Sequence, residues 1–167
     1  MATVRTAAPA DAERLGQIHV RSWQKAYQGI LPADFLASLS VEARADRWRT
    51  ELEAIGEADL ALVVESGESI NGFARVAPSA DRKHGEVQAI YLDPDHWRKG
   101  WGRLLMVAAE DSLARLGWKE AILWVLEKNL SARRFYEALG WKADPHRALL
   151  NIGGADVQEI RYRKILS

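Results

Sequence analysis

A mixed α/β sheet with helices on both faces is the fold class this sequence predicts, and three observations carry it. The runs "DLALVVES" (59–66) and "SINGFARVAP" (69–78) are β-rich and separated only by Gly67-Glu68, which reads as an antiparallel hairpin. The passage from "GEVQAIYLDP" (85–94) through a helical pattern to "EAILWVLE" (120–127) is a strand–helix–strand unit and implies a parallel crossover. The run 120–127 is apolar almost throughout, as expected of a strand covered on both faces.

The elements follow in order. "TVRTA" (3–7) alternates briefly as an opening strand, and Pro9, Asp11 and Glu13 suit the first turns of a helix. Leu15, Ile18, His19, Ser22, Trp23 and Ala26 recur at 3- and 4-residue steps and form one face of that helix. Shorter helices are expected from Pro32 to Leu39 and from Val41 to about Ile55. After the hairpin and the strand closed by Pro94, a helix should run from about Gly100 to Leu116. Its stripe would be Trp101, Leu105, Ala109, Ser112 and Leu116, with Gly117 as the stop. Another helix spans roughly Leu130 to Leu139 before Gly140, and two last strands (about 141–151 and 156–166) flank "GGAD". No repeat or Pro/Ser linker interrupts residues 1–167, so a single domain with a sizeable core is expected.

Composition excludes several chemistries. Lys plus Arg and Asp plus Glu balance at 23 each, so no net field draws the chain to nucleic acid or anionic lipid. Cysteine is absent, which removes disulfides, thiolate metal sites and a cysteine nucleophile. The histidines (19, 84, 96, 146) show no ligand spacing, so no metal site is expected, and GxSxG is missing. The N-terminus has no apolar signal core and no apolar run is long enough for a bilayer, so the expected location is the cytoplasm.

One stretch asks for chemistry. "DPDHWRKGWGRLL" (93–105) places Gly100 and Gly102 among Arg98, Lys99 and Arg103 at the entrance of a helix. A strand stopped by proline, a glycine-punctuated turn and a helix make the layout of a phosphate cradle. The first amides of a helix have no internal partner, and its dipole adds partial positive charge there. The P-loop pattern is absent, and the third glycine of the dinucleotide fingerprint is missing.

These residues resemble a known family. "AIYLDPDHWRKGWGRLL" is similar to the pyrophosphate-binding motif [QR]-x-x-G-x-[GA] of the GNAT superfamily, the acyl-CoA-dependent N-acetyltransferases. "LWVLEKNLSARRFYEALGW" (123–141) resembles the family's next segment, in which an asparagine opens a helix bearing an aromatic pair and ending in Leu-Gly. "VRTAAPADAERLGQIHVRSWQKAYQGILP" and the closing "EIRYRKIL" also look like family ends, so the resemblance covers essentially the whole chain. It implies a mixed, mostly antiparallel twisted sheet of about seven strands with helices on both faces.

For the site, the resemblance implies that the backbone of Ile90, Tyr91 and Leu92 meets the pantetheine arm and acetyl carbonyl of acetyl-CoA. The amides of Arg98, Lys99, Gly100, Trp101, Gly102 and Arg103 would hold the diphosphate. The motif's leading Gln/Arg falls on Trp97, which cannot supply that side-chain contact, so weaker cofactor binding is expected. Asn129 matches the asparagine that reaches the pantetheine arm and would also serve as a helix cap. Tyr136 matches the tyrosine that protonates the departing thiolate, a role tyrosine can fill as a general acid.

An alkylamine must also be deprotonated, at a cost of about 4.6 kcal/mol near neutrality. Glu86, eleven residues before Trp97, matches the general base of the histone-acetylating branch, though it also suits a solvated strand end. In the branch acting on ribosomal-protein N-termini the glutamate lies five residues before the asparagine; here that place is Trp124, which disfavours that mechanism. Direct attack of an amine in a ternary complex is the expected reaction. Trp23 and Tyr27, one helical turn apart, would floor the acceptor pocket or else pack in the core. The acceptor is a small-molecule or peptide amine, with polyamine, antibiotic, amino acid and peptide all open. A non-catalytic acyl-CoA sensor or interaction domain is the rival reading. Homodimers are common in the family, and Trp118 or Trp141, among seven tryptophans, would suit such an interface.

Overall fold

In the computed structural model, which describes residues 1–167, the strands are β1 (Ala2–Thr6), β2 (Leu60–Ser66), β3 (Ser69–Pro78), β4 (Gly85–Leu92), β5 (Glu120–Leu126), β6 (Lys142–Ile152) and β7 (Ala155–Ile165). The helices are α1 (Ala12–Ala26), α2 (Ala33–Ser38), α3 (Val41–Glu53), α4 (Trp101–Arg115) and α5 (Leu130–Ala138). Pro9 opens a 3-10 turn ahead of α1, where its missing N–H costs nothing.

All seven strands join one sheet in the order β1-β2-β3-β4-β5-β7-β6. Every pairing is antiparallel except β4 with β5, the crossover expected from the strand–helix–strand passage. The two faces of the sheet carry separate cores, as the two-residue period of a strand requires. Leu62, Val64, Ala74 and Val76 pack with Leu105, Met106, Ala109 and Leu113 of α4 and with Tyr136 of α5. Ala61, Val63 and Phe73 point the other way, against Leu15 and Ile18 of α1 and Trp48 and Leu52 of α3.

The expected stripe of α4 needs correction. Gly102, Leu105, Met106, Ala109 and Leu113 are its buried face, while Leu116 is 41% exposed. The helix closes at Leu116, where Gly117 takes φ +98 and the next amides turn back to Ala114 (3.0 Å) and Leu113 (3.1 Å). The same closure ends α5: Gly140 has φ +89, its amide donates to Glu137 and that of Trp141 to Tyr136, both at 3.1 Å. Trp141 is therefore not an interface residue. It is 1% exposed, and its indole N–H donates to Glu110 at 2.9 Å. Trp118 is half-buried against the α4 core.

One buried carboxylate ties α1 to the end of β4. Asp93, 1% exposed, accepts from Arg14 at 3.0 Å and Arg21 at 2.6 Å, and caps the amide of Asp95 at 3.0 Å. Burial would raise its pKa, but the Asp95 amide and the two guanidiniums hold it below the usual carboxylate range. A depressed pKa contributes stability above the ordinary carboxylate value, lost as pH falls through the folded value. Asp93→Asn should therefore cost about 2 kcal/mol near neutrality, discounted for partly exposed arginines, and the loss should shrink at low pH. Urea unfolding at several pH values reads both effects; a pH-independent loss would be against the ion-pair account.

Candidate active site

The parallel contact between β4 and β5 covers only Gly85 with Ala121 and Glu86 with Ile122. Past Glu86 the strands part, and no strand pairs with the inner edge of β4. A groove of about 1030 Å³ opens there, lined by Glu86–Leu92 on one side and Leu123–Leu126 on the other. Ile90, Tyr91 and Leu92 line this groove where β4 has no strand partner on that side.

At one end of the groove lies the 93–105 loop. Arg98 takes φ 62 and Gly100 φ 82, both left-handed, so the chain turns sharply before α4. For Arg98 this conformation costs about 1 kcal/mol, the kind of local strain found where a backbone is shaped for a ligand. None of the amides from Arg98 to Arg103 donates to a protein acceptor, and α4 begins with them, adding its positive dipole end. Trp97, Arg98, Gly100, Gly102 and Arg103 line the groove.

Lys99 and Trp101 contribute no side chain to it. Trp101 stacks on His96 (5.1 Å between rings), and the Lys99 ammonium sits 5.5 Å from the Trp101 ring.

Two glycines with one expected purpose have different ones. At Gly100 a Cβ would meet nothing, and the positive φ is what asks for glycine. At Gly102 a Cβ would lie 3.1 Å from Leu92 Cδ1 and 3.2 Å from Phe135 Cζ, so its bareness serves the close seating of α4 on β4 and α5. Trp97, at the motif's Gln/Arg position, has a use that sequence reasoning missed. Its indole N–H donates to the Leu92 carbonyl at 2.9 Å and pins the loop to the end of β4.

Asn129 caps α5, its Oδ1 accepting from the Ala132 amide at 3.3 Å, and it lines the groove as well. Tyr136 follows two turns on, in the groove wall. Burial and the neighbouring Tyr91 push its hydroxyl well above the ordinary value, so it stays protonated across the working range. Trp23 and Tyr27 also reach the groove, packed edge-to-face at 5.0 Å. They face the Tyr91 hydroxyl, yet the Trp23 indole N–H finds no acceptor within hydrogen-bonding geometry.

Glu86 sits at the base of the parting strands, half-buried. Burial, then the charges of Glu159 and Asp81, raise its pKa. Glu159 is the second carboxylate of the groove, also raised by burial, and sequence reading did not single it out. It belongs to β7, which lies between β5 and β6, and it pairs with Leu126. Its one signal was an acidic residue within an alternating strand, without meaning until the neighbours of β7 are known. Ser131 and Arg134, just after Asn129, line the groove and were missed too.

Comparison with known proteins shows the family of the chain. The family model described as acetyltransferase (GNAT) family matches residues 14–141. An uncharacterized N-acetyltransferase of Bacillus subtilis, YuaI, is 34% identical over 142 residues, covering 83% of this chain and 79% of its own. Mycothiol acetyltransferase of Actinosynnema mirum is 33% identical over 129 residues, 68% of this chain but only 43% of that protein. Among solved structures, the PaiA N-acetyltransferase of Thermoplasma acidophilum in complex with coenzyme A superposes with a TM-score of 0.77. It is 22% identical, with 99% of each chain covered.

Proposed function

The chain belongs to the acetyltransferase (GNAT) family, and from that premise we propose that it moves an acetyl group from acetyl-CoA directly to an amine held in the groove before Glu86. One observation carries the reading: Arg98, Gly100, Gly102 and Arg103, whose amides have no protein acceptor, line the same groove as Tyr136 and Glu86.

Acetyl-CoA supplies an acyl carbon activated by a thiolate leaving group. The amides of the loop, with Arg98 and Arg103 at the rim, suit its diphosphate, and the free edge of β4 and the Asn129 amide suit the pantetheine arm. Glu86 takes a proton from the acceptor ammonium, directly or through water, and the freed amine forms the C–N bond. As the C–S bond breaks, sulfur leaves with the electron pair and Tyr136 gives it a proton; the new amide nitrogen sheds its second proton to water, from which Tyr136 regains its own. Positioning in the groove supplies most of the remaining acceleration. The cytoplasm is the setting in which this reading places the reaction.

Thiol release from acetyl-CoA, followed with polyamine, amino acid, antibiotic and peptide amines, tests it. Release that depends on the amine is expected; coenzyme A affinity with no release would leave only the sensor reading. A raised carboxyl is protonated to higher pH than usual, and only its deprotonated form acts as base. Hence kcat/KM should climb as pH passes the elevated Glu86 value, and Glu86→Gln should lose about 10²-fold and that limb together. A Glu86→Gln profile parallel to that of the wild type would remove Glu86 as the base.

A further inference from the structure

We propose that the acceptor amine also carries an anionic group, a carboxylate or a phosphate, and that Arg44 and Arg47 bind it in a second cavity at the start of α3. The proposal rests on the transferase reading and names the class of its substrate. The cavity holds about 230 Å³ between α1 and α3, enough for such a group, and its lining includes His19, Trp23, Ser40, Ala43, Arg44 and Arg47. No carboxylate lines it.

The guanidinium of Arg44, only partly exposed, makes no ion pair or hydrogen bond in the fold. The carboxylate that acts on it, Glu51, is engaged with Arg75 at 2.9 Å and lies 3.6 Å from Arg47. Burial and the neighbouring Arg47 both disfavour the charge of Arg44, a cost that a bound anion would relieve. His19, 7% exposed, adds a third polar group. Its Nδ1 accepts from the Trp48 indole at 3.1 Å, which leaves the proton on Nε2, and Nε2 has no partner. The positive dipole end of α3 points the same way, with the amide of Ala43 capped by Ser40 at 3.0 Å.

The cavity is placed for the acceptor and not for coenzyme A. It belongs to the α1–α3 face of the sheet, whereas the amide cradle begins α4 on the other face. Trp23 lines both spaces, and the His19 ring lies 5.0 Å from that of Tyr91 in the groove wall. An amine before Glu86 with its anionic end past Trp23 would use both.

Matched pairs of amines test this: 4-aminobutyrate against 4-aminobutyramide, and O-phosphoethanolamine against ethanolamine, at saturating acetyl-CoA. The anionic member should have at least about tenfold higher kcat/KM in one pair, and which pair tells carboxylate from phosphate. Arg44→Gln, or Arg47→Gln if the first does not fold, should lower kcat/KM for the anionic amine about tenfold more than for the neutral one. Coenzyme A affinity should not move. Equal rates within both pairs, or equal losses in the variants, would overturn the proposal while leaving acetyl transfer intact. As a readout without turnover, glutarate and inorganic phosphate should shift the Arg44 side-chain and Trp48 indole NMR signals in wild type and not in Arg44→Gln. Shifts with no thiol release from any amine would keep the anion site and sink the transferase reading; no shift from either probe would sink the anion site.

Discussion

Tyr136→Phe should lower kcat by about 10²- to 10³-fold and leave both coenzyme A affinity and folding stability nearly where they are. The ring of Tyr136 is part of the core, 5.6 Å from Phe135 and 6.1 Å from Tyr162, and phenylalanine keeps every one of those contacts. The hydroxyl has no protein partner to lose and lies in the groove wall. Its elevated pKa means that the acid form is present at every pH where the amine is reactive, so no compensating pH shift can hide the loss. Calorimetric titration with coenzyme A, urea unfolding and single-turnover thiol release separate the three quantities. Parallel loss of binding and turnover, or retention of most of kcat, would show that the thiolate leaves without help from this residue.

How readily that residue could be found from sequence depends on what surrounds it. The helix boundaries were legible because their punctuation is chemical: Gly117 and Gly140 take positive φ where a side chain is strained, and Pro94 ends β4. The strands were legible from β-rich runs and turn residues, and the single parallel crossover from the helix between 85–94 and 120–127. The groove was not legible, since hydrophobic periodicity says that β4 and β5 are neighbours without saying that they pair over only two residue positions. Glu159 was hidden for a related reason. β7 inserts between β5 and β6, and that long-range order alone brings its carboxylate near Glu86. Arg44 and His19 read as ordinary helical residues until α1 and α3 are packed together. Trp97 read as a defect in a motif, because a motif records which side chain usually stands at a place and not what another could bond to there.

The two glycines of the loop give the second large effect, and they should fail differently. Gly100→Val puts a β-branched residue at φ 82, a strain of about 1–2 kcal/mol, with no neighbour within reach of its Cβ. The backbone can relieve that strain only by turning the amides of Gly100 and Trp101 out of the cradle. Coenzyme A affinity should therefore drop at least about tenfold, the worth of a hydrogen bond or two to a charged group. Stability should change by no more than the strain itself. Gly100→Asn is the control, since asparagine tolerates the left-handed region and should keep most of the affinity. Gly102→Val acts through packing. Its Cβ alone would stand 3.1 Å from Leu92 and 3.2 Å from Phe135, and the further methyls must push α4 off β4 and α5, at about 1–3 kcal/mol. Phe135 adjoins Tyr136, so that displacement should depress kcat as well as affinity. Thermal unfolding and calorimetry on the three variants distinguish the mechanisms. If Gly100→Val bound coenzyme A as tightly as the wild type, the diphosphate would have to lie somewhere other than this turn.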